Sequence, residues 1–278
     1  MTEKKLLHIV TGPTASGKTD HAIELALKYH CPIISADSRQ VYKELDIAVA
    51  KPSKNQLATV KHYFIDHVSI HEEFNTGLYT RQARELINDL FNTHQQLIVC
   101  GGTGLYIKSL IHGLDALPGK DDALRKELSD LLESDGLSAL QNILKSLNSE
   151  KFEAMDHQNP QRLIRAIEIE KSGQPADIKV PAFAHEFVIK YDVIELQRDV
   201  LYDRINRRVD KMFEDGLEKE AFDLQAYQHL NALQTVGYSE WWPYFKGECT
   251  IDVVKDKIKQ HTRNYAKRQV TWFKHQLE

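Results

Sequence analysis

Residues 12–19 read Gly-Pro-Thr-Ala-Ser-Gly-Lys-Thr, a complete GxxxxGK[ST] pattern, and they follow directly on the apolar run Leu6, Leu7, Ile9 and Val10. A strand ending in such a loop, with the helical spacing of Ala22, Ile23, Leu25 and Ala26 beyond it, turns backbone N–H groups and a helix N-terminus toward one anion. Gly12 and Gly17 permit the curvature, Lys18 brings a positive charge, and Thr19 offers a hydroxyl to Mg²⁺. This is phosphate-binding chemistry. Two further apolar runs end in polar tips: Cys31–Ala36 leads into Asp37-Ser38-Arg39-Gln40, and Leu97–Cys100 leads into Gly101-Gly102-Thr103-Gly104. Asp37 is placed to bind Mg²⁺ through water, to act as a general base, or simply to cap a turn. The third run supplies no acid where a nucleotide-hydrolysing site needs one. The site is therefore built to hold phosphates for some other purpose.

These tips need a scaffold that brings strand ends together. Apolar runs read as buried strands. They alternate with helical spacing at Tyr79–Phe91 (Ala83, Leu86, Ile87, Leu90) and after Gly104 (Leu105, Ile107, Leu110). The alternation predicts an α/β fold, a doubly wound parallel sheet with the loop, Asp37 and Thr103 in one crevice at the strands' carboxyl ends. From 114 to 181 the pattern becomes charged and helical: Asp121–Leu147, then a helix opened by Asn159-Pro160 and stopped at Gly173. We read an all-helical insertion at 114–181 within a core formed by 1–113 and 182–278. The stretch Phe183–Leu196 reads as a returning strand, and the remainder as mostly helix.

The chain has 278 residues, 42% hydrophobic and 27% charged, with a formal net charge of −4. Overall charge does not attract nucleic acid, so any such contact needs a local basic patch. Three stretches qualify: Gln161, Arg162 and Arg165; the stripe Arg204, Arg208 and Lys211; and Lys255–Lys274, with seven Lys or Arg and one acid. A solvated helix face accounts for any one of them, whereas three together favour a polyanion. Tyr265, Trp272 and Phe273 are candidates for base stacking, the last two better suited to a core. The three cysteines show no paired spacing, which fits a reducing compartment, and the 13 histidines show no ligand spacing. Lys4 and Lys5 precede a strand rather than a signal peptide, and no apolar run is long enough to span a bilayer.

Several segments, in order, resemble bacterial tRNA dimethylallyltransferases, also called tRNA isopentenyltransferases: GPTASGKT at 12–19, ISADSRQVYKELDI at 34–47, AKP at 50–52, VCGGTGLYIKSLIHGL at 99–114, NPQRLIRAIEIEKSGQP at 159–175, LYDRINRRVDKMFEDGLEKEA at 201–221, VGYSEWW at 236–242 and TRNYAKRQVTWF at 262–273. One departure is Ala48-Val49, where the family usually has Gly-Thr; the chain is also shorter after GQP and at its C-terminus than many relatives, without a zinc-finger extension. The resemblance implies transfer of a dimethylallyl group from its diphosphate to the exocyclic amine of the adenosine 3′ of the tRNA anticodon. The leaving group is then diphosphate, which accounts for the missing acid. The loop Gly12, Pro13, Thr14, Ala15, Ser16, Gly17, Lys18 and Thr19 would hold that diphosphate through the amides of 14–19, with Lys18, Mg²⁺ near Thr19, and Arg204 or Arg208 as a further clamp. Asp37 would be the general base. The resemblance places Asp37, Ser38, Arg39, Gln40, Thr103, Arg125, Gln161, Arg162, Leu163, Ile164 and Arg165 on the tRNA side, with the insertion closing over the anticodon stem-loop. Tyr106 either lines a prenyl pocket or fills the core. A cytoplasmic monomer acting without a membrane is expected. Two enzyme alternatives are an isopentenyltransferase for free adenine nucleotides and a P-loop small-molecule kinase; a third is non-catalytic RNA binding. QRLIRA and the basic C-terminal segment argue against the first, the absent second carboxylate against the kinase, and the loop itself against mere binding.

Overall fold

The computed structural model describes residues 4–114, 118–173, 183 and 187–276. Gln174 and Pro175 of the GQP segment, and Leu277-Glu278, lie outside these residues. The chain divides into two compact units, Met1–His112 with Ala182–Glu278, and Gly113–Pro181.

In the larger unit, β1 (Lys5–Thr11), β2 (Ile33–Ser35), β3 (His62–Tyr63), β4 (Gln96–Gly101) and β5 (Phe187–Val193) form one sheet in the order β3-β2-β4-β1-β5. All pairings are parallel, with Leu7 opposite Leu97 and Ile189, and Ile34 opposite Val99. Neighbouring residues on a strand face opposite sides, yet Leu7, His8, Ile9, Val10 and Thr11 are all buried, as are Leu97, Ile98, Val99 and Cys100. Both faces of the central strands are therefore covered, which is why these segments read as unbroken apolar runs. At the edge, β5 leaves Val188 and Val193 exposed.

The helices follow from recognisable start and stop signals. α1 (Lys18–Tyr29) begins at Gly17, whose φ of 93° suits glycine. α2 (Lys54–Thr59) starts with a Ser53/Gln56 capping box, and α3 (Thr76–Leu90) with the Asn75 side chain accepting from the Leu78 amide. α4 (Gly104–His112) follows β4 directly.

The smaller unit is entirely helical among its described residues: α5 (Asp122–Asp135), α6 (Leu137–Leu147), α7 (Ser149–Ala154) and α8 (Pro160–Ser172). Gly136, at φ 76° and ψ −176°, breaks the stretch 121–147 into two helices. Asn159 caps α8 through the amides of Gln161 and Arg162, Pro160 occupies its first turn, and Gly173 ends it in the left-handed region. Leu128, Leu140, Leu144, Phe152, Leu163, Ile164 and Ile167 form this unit's own core.

The chain then returns to the larger unit with β5, α9 (Arg198–Glu214), α10 (Leu217–Asp223), α11 (Trp241–Phe245) and α12 (Ile251–Gln276). Among the described residues, no helix is long and apolar enough to cross a membrane.

Candidate active site

The phosphate loop leaves β1 with Gly12 at φ 153° and turns through Ala15 at φ 63° before α1 begins. A Cβ on Gly12 would stand 2.7 Å from the Ile194 carbonyl oxygen, so the loop's entry is sterically reserved for glycine. Not every amide of the loop is free. The Thr14 N–H donates to Gln269 Oε1 at 2.8 Å, and the Ser16 N–H reaches the Pro13 carbonyl at 3.3 Å. This narrows the expectation that all amides of 14–19 serve the anion. Among the described residues, those of Ala15, Gly17, Lys18 and Thr19 have no protein acceptor, the last two because the first turn of a helix has none to offer. The buried Ser16 hydroxyl likewise has no partner among the described residues.

These donors open into a crevice whose walls include Thr14, Ala15, Gly17, Lys18, Thr19, Asp20, Asp37, Arg39, Gln40, Cys100, Gly101 and Arg208. Lys18 Nζ donates to the Pro13 carbonyl at 3.3 Å. Burial lowers the Lys18 pKa, Cys100 and Asp37 act in the opposite sense, and Arg208 reinforces the lowering. An anion placed here would favour the charged form. Burial also pushes the Cys100 thiol up to about 12, so it is a neutral wall group rather than a nucleophile.

Asp37 accepts from the Arg39 amide at 2.9 Å and the Gln40 amide at 3.2 Å, both through Oδ1. It therefore caps a turn and faces the crevice at once, since Oδ2 has no protein donor among the described residues. Ser38 and Thr103 are not crevice walls. Their hydroxyls are 3.3 Å apart, and the Ser38 amide donates to Thr103 Oγ1 at 3.0 Å, tying the end of β2 to the start of α4. Arg39 is held by the Asn231 carbonyl at 2.7 Å. Gln40 Nε2 donates to the carbonyls of Val49 and Ala50, steadying the wall formed by residues 48–52. Ala48 and Val49, the departure noted above, thus both line the crevice, and Glu220 holds the amides of Ile47 and Ala48 at 2.7 and 3.0 Å.

The two arginines of α9 play different parts. Arg208 lies in the crevice wall and donates to Thr14 Oγ1 at 3.2 Å; burial lowers its pKa while Asp20 and Asp37 favour its charge. Arg204 is not a wall residue and donates to the Ser16 carbonyl at 3.3 Å, bracing the loop. Along α12, Ile258, Thr262, Tyr265 and Gln269 form one lining stripe. Burial and the neighbouring Asp37 carry the Tyr265 phenol up to about 12, and Arg268 lies over its ring at 5.7 Å.

Other expected residues fall elsewhere. Tyr106 is buried and stacked on Tyr79 at 4.1 Å, an arrangement that favours core packing of the two expected roles. Lys255 and Lys259 both pair with Asp210, and Arg263 with Asn206, so this part of the basic C-terminal stretch clamps α12 to α9. In the helical unit, Arg125 makes a two-pronged contact with Glu168 at 2.6 and 2.7 Å, and Arg165 joins it at 3.2 Å while also reaching the Pro118 carbonyl. Leu163 and Ile164 are buried in that unit's core, so their side chains seat α8 and do not offer a surface to RNA. Arg162 is the exposed arginine of α8, paired loosely with Asp156 at 3.5 Å. Gln161 is exposed beside it. Gln269 was visible in the sequence only as part of a family segment, because nothing local couples it to a loop 255 positions earlier.

Among the described residues no group of three or more His, Cys, Asp or Glu is arranged to hold a metal. The donors present suit a cation that draws most of its ligands elsewhere: Thr19 and Asp37 offer hard oxygens beside a phosphate cradle, the usual setting for Mg²⁺.

A model of the IPP transferase family matches residues 40–276. The chain is 44% identical over 277 residues to the tRNA dimethylallyltransferase of Cytophaga hutchinsonii, covering 99% of this chain and 91% of the relative. It is 42% identical to that of Christiangramia forsetii, covering 97% and 90%. The crystal structure of the full-length tRNA isopentenylpyrophosphate transferase from Bacillus halodurans superimposes with a TM-score of 0.69 at 35% identity, covering 98% of this chain and 87% of that one.

Proposed function

The chain belongs to the IPP transferase family and is a prenyl-transferring enzyme, and from that premise we propose that its crevice moves a dimethylallyl group from dimethylallyl diphosphate to the exocyclic amine of the adenosine 3′ of a tRNA anticodon. The observation that supports this reading most is the joint presence of the loop, Lys18, Arg208 and Asp37 around one crevice whose central strand ends in glycine. The arrangement holds a diphosphate opposite a carboxylate without the acid that water activation would need.

In the proposed step the bond between the allylic carbon and the diphosphate oxygen breaks, and its electron pair leaves with the diphosphate. The free amides of the loop, Lys18 and Arg208 receive that developing charge, in a crevice where fixed donors act more strongly than in water. The amine nitrogen forms the new bond to the same carbon, and Asp37 takes the proton it sheds. Thr19, and Asp37 through water, would hold Mg²⁺, which would supply further neutralising charge for the leaving group. Asp37 is already oriented by two amides, so the base needs no rearrangement of its own turn.

On the RNA side, Arg162 is the best-placed phosphate contact of α8 in view of its exposure, with Gln161 next to it. Arg125 and Arg165 support the helix through Glu168. An adenosine in an anticodon loop is already unpaired, so taking it into a crevice costs little.

Incubation of the purified protein with unmodified tRNA and dimethylallyl diphosphate, followed by nucleoside mass analysis, tests the reading. The expected product is a prenylated adenosine in tRNA. Transfer to free adenine nucleotides with none to tRNA, or loss of the γ-phosphate from ATP, overturns it in favour of the corresponding alternative.

A further inference from the structure

Gln269 is buried on α12, and both ends of its side-chain amide are engaged. Oε1 accepts from the Thr14 amide at 2.8 Å, and Nε2 donates to the Gly102 carbonyl at 2.8 Å. A primary amide of this length is the side chain that accepts at one point and donates at the other: a carboxylate repels the carbonyl, an ammonium repels the N–H, and asparagine is one methylene short. Gly102 leaves room for it, because a Cβ there would stand 2.4 Å from Nε2. Nothing in the reaction above uses this group.

The Thr14 N–H and the Pro13 carbonyl belong to the same planar peptide unit. Gln269 holds one end of that unit, and Lys18 Nζ donates to the other at 3.3 Å. A trans peptide points its N–H and C=O in opposite directions, so fixing the N–H toward α12 aims the carbonyl away from it, toward the lysine. Lys18 is partly buried, and among the described residues this carbonyl is the acceptor its Nζ has.

We propose that Gln269 is a positioning residue for the leaving group: by fixing the Pro13–Thr14 peptide it parks the Lys18 ammonium in the crevice and withholds the Thr14 amide from the anion. Diphosphate thus meets a lysine whose place is already set, and α12 reports on the state of the loop. The inference rests on the reading of this loop as a diphosphate site.

The test is a double-mutant cycle on Gln269→Met and Lys18→Met, read by calorimetric binding of inorganic diphosphate and by the KM values for dimethylallyl diphosphate and for tRNA. In the otherwise unchanged enzyme, Gln269→Met is expected to weaken diphosphate binding about tenfold, the scale of one or two lost hydrogen bonds, with the tRNA KM nearly unmoved. On the Lys18→Met background the same substitution is expected to change diphosphate binding less than about twofold, because the two residues act through one peptide. Gln269→Leu, which like methionine offers Thr14 no acceptor, gives a second route if the methionine variant does not fold; its tRNA KM is expected to stay unchanged while its KM for dimethylallyl diphosphate rises. Additive losses, an equal rise in both KM values, or unchanged diphosphate binding in the variants overturns the proposal. Failure of the unsubstituted enzyme to bind diphosphate instead overturns the reading of the loop itself.

Discussion

Arg208 donates to the Thr14 hydroxyl at 3.2 Å, so a cation from α9 and the turn that cradles the anion are joined before any ligand arrives. Arg204, one turn earlier on the same helix, touches only the loop's outer carbonyl at Ser16. The two arginines look alike in sequence, as one basic stripe, but differ in which side of the loop they meet.

Arg208→Ala is therefore expected to weaken diphosphate binding more than Arg204→Ala. A hydrogen bond to a charged group contributes about 1.5–3 kcal/mol, so the loss for Arg208 is about tenfold to a hundredfold. Arg204→Ala should instead lower thermal stability with a smaller change in affinity. Calorimetry with inorganic diphosphate and thermal unfolding of both variants separate these outcomes; equal affinities for the two variants would contradict the assignment.

Asp37→Ala should retain tRNA affinity and lose about 10²- to 10⁴-fold in turnover, the range for a positioned general base. Asp37→Asn keeps an acceptor for the Arg39 and Gln40 amides and so preserves the turn. Single-turnover rates of both variants should fall together. A slow alanine variant beside a fast asparagine variant would show that Asp37 serves only as a cap.

Glu168 gives the helical unit a dependence on acid. Burial alone would raise its pKa, but hydrogen bonds from Arg125, the Asp121 amide and Arg165 hold it below the usual 4.5. A carboxylate whose pKa is lower in the folded state stabilises that state fully above its unfolded pKa, and the contribution is lost as pH falls through the folded value. The protection of amides in α5 and α8, relative to their intrinsic exchange rates, should therefore fall once pH drops below about 4.5, and Glu168→Gln should remove most of that pH dependence. Exchange rates with the same pH profile in both proteins would count against it.

Two glycines, one ending β4 and one opening α4, differ in how a methyl group would be received. At Gly101 a Cβ would lie 2.1 Å from the Ala36 carbonyl oxygen, and backbone cannot step aside. At Gly104 it would lie 2.4 Å from the Trp272 ring. Overpacking costs typically 1–3 kcal/mol, and about 2–4 °C in Tm per kcal/mol in a chain of this size. Gly104→Ala should fall in that range and recover in part when Trp272 is replaced by Leu, whereas Gly101→Ala should cost more and have no side-chain rescue. Matching Tm losses at the two positions, or no recovery, would refute the distinction.

The strands of the sheet and the phosphate loop were legible because their signals are local: apolar runs, glycines at a turn, a helix start. Asp37 was legible for the same reason, as the tip of a run. What sequence did not expose is partnership across distance. Lys255 and Lys259 looked like a surface for a polyanion, yet both pair with Asp210 on another helix. Glu220 carries no local sign that it grips the amides of Ile47 and Ala48, and Gln269 none that it reaches Thr14. The break at Gly136 was obscured because the residues on either side share one helical pattern, and only the backbone angles separate them.

The strand order places β4 between β1, which delivers the phosphate loop, and β2, which delivers Asp37. Adjacent strands are about 4.8 Å apart, so the two delivering strands run about 10 Å from each other, with one strand's width between them. That span is written in backbone hydrogen bonds rather than in any side chain, and substitutions on the surface leave it untouched. It also gives the glycine ending of β4 a further meaning, for a side chain at Gly101 would press on the Ala36 backbone and displace the chain that leads into Asp37.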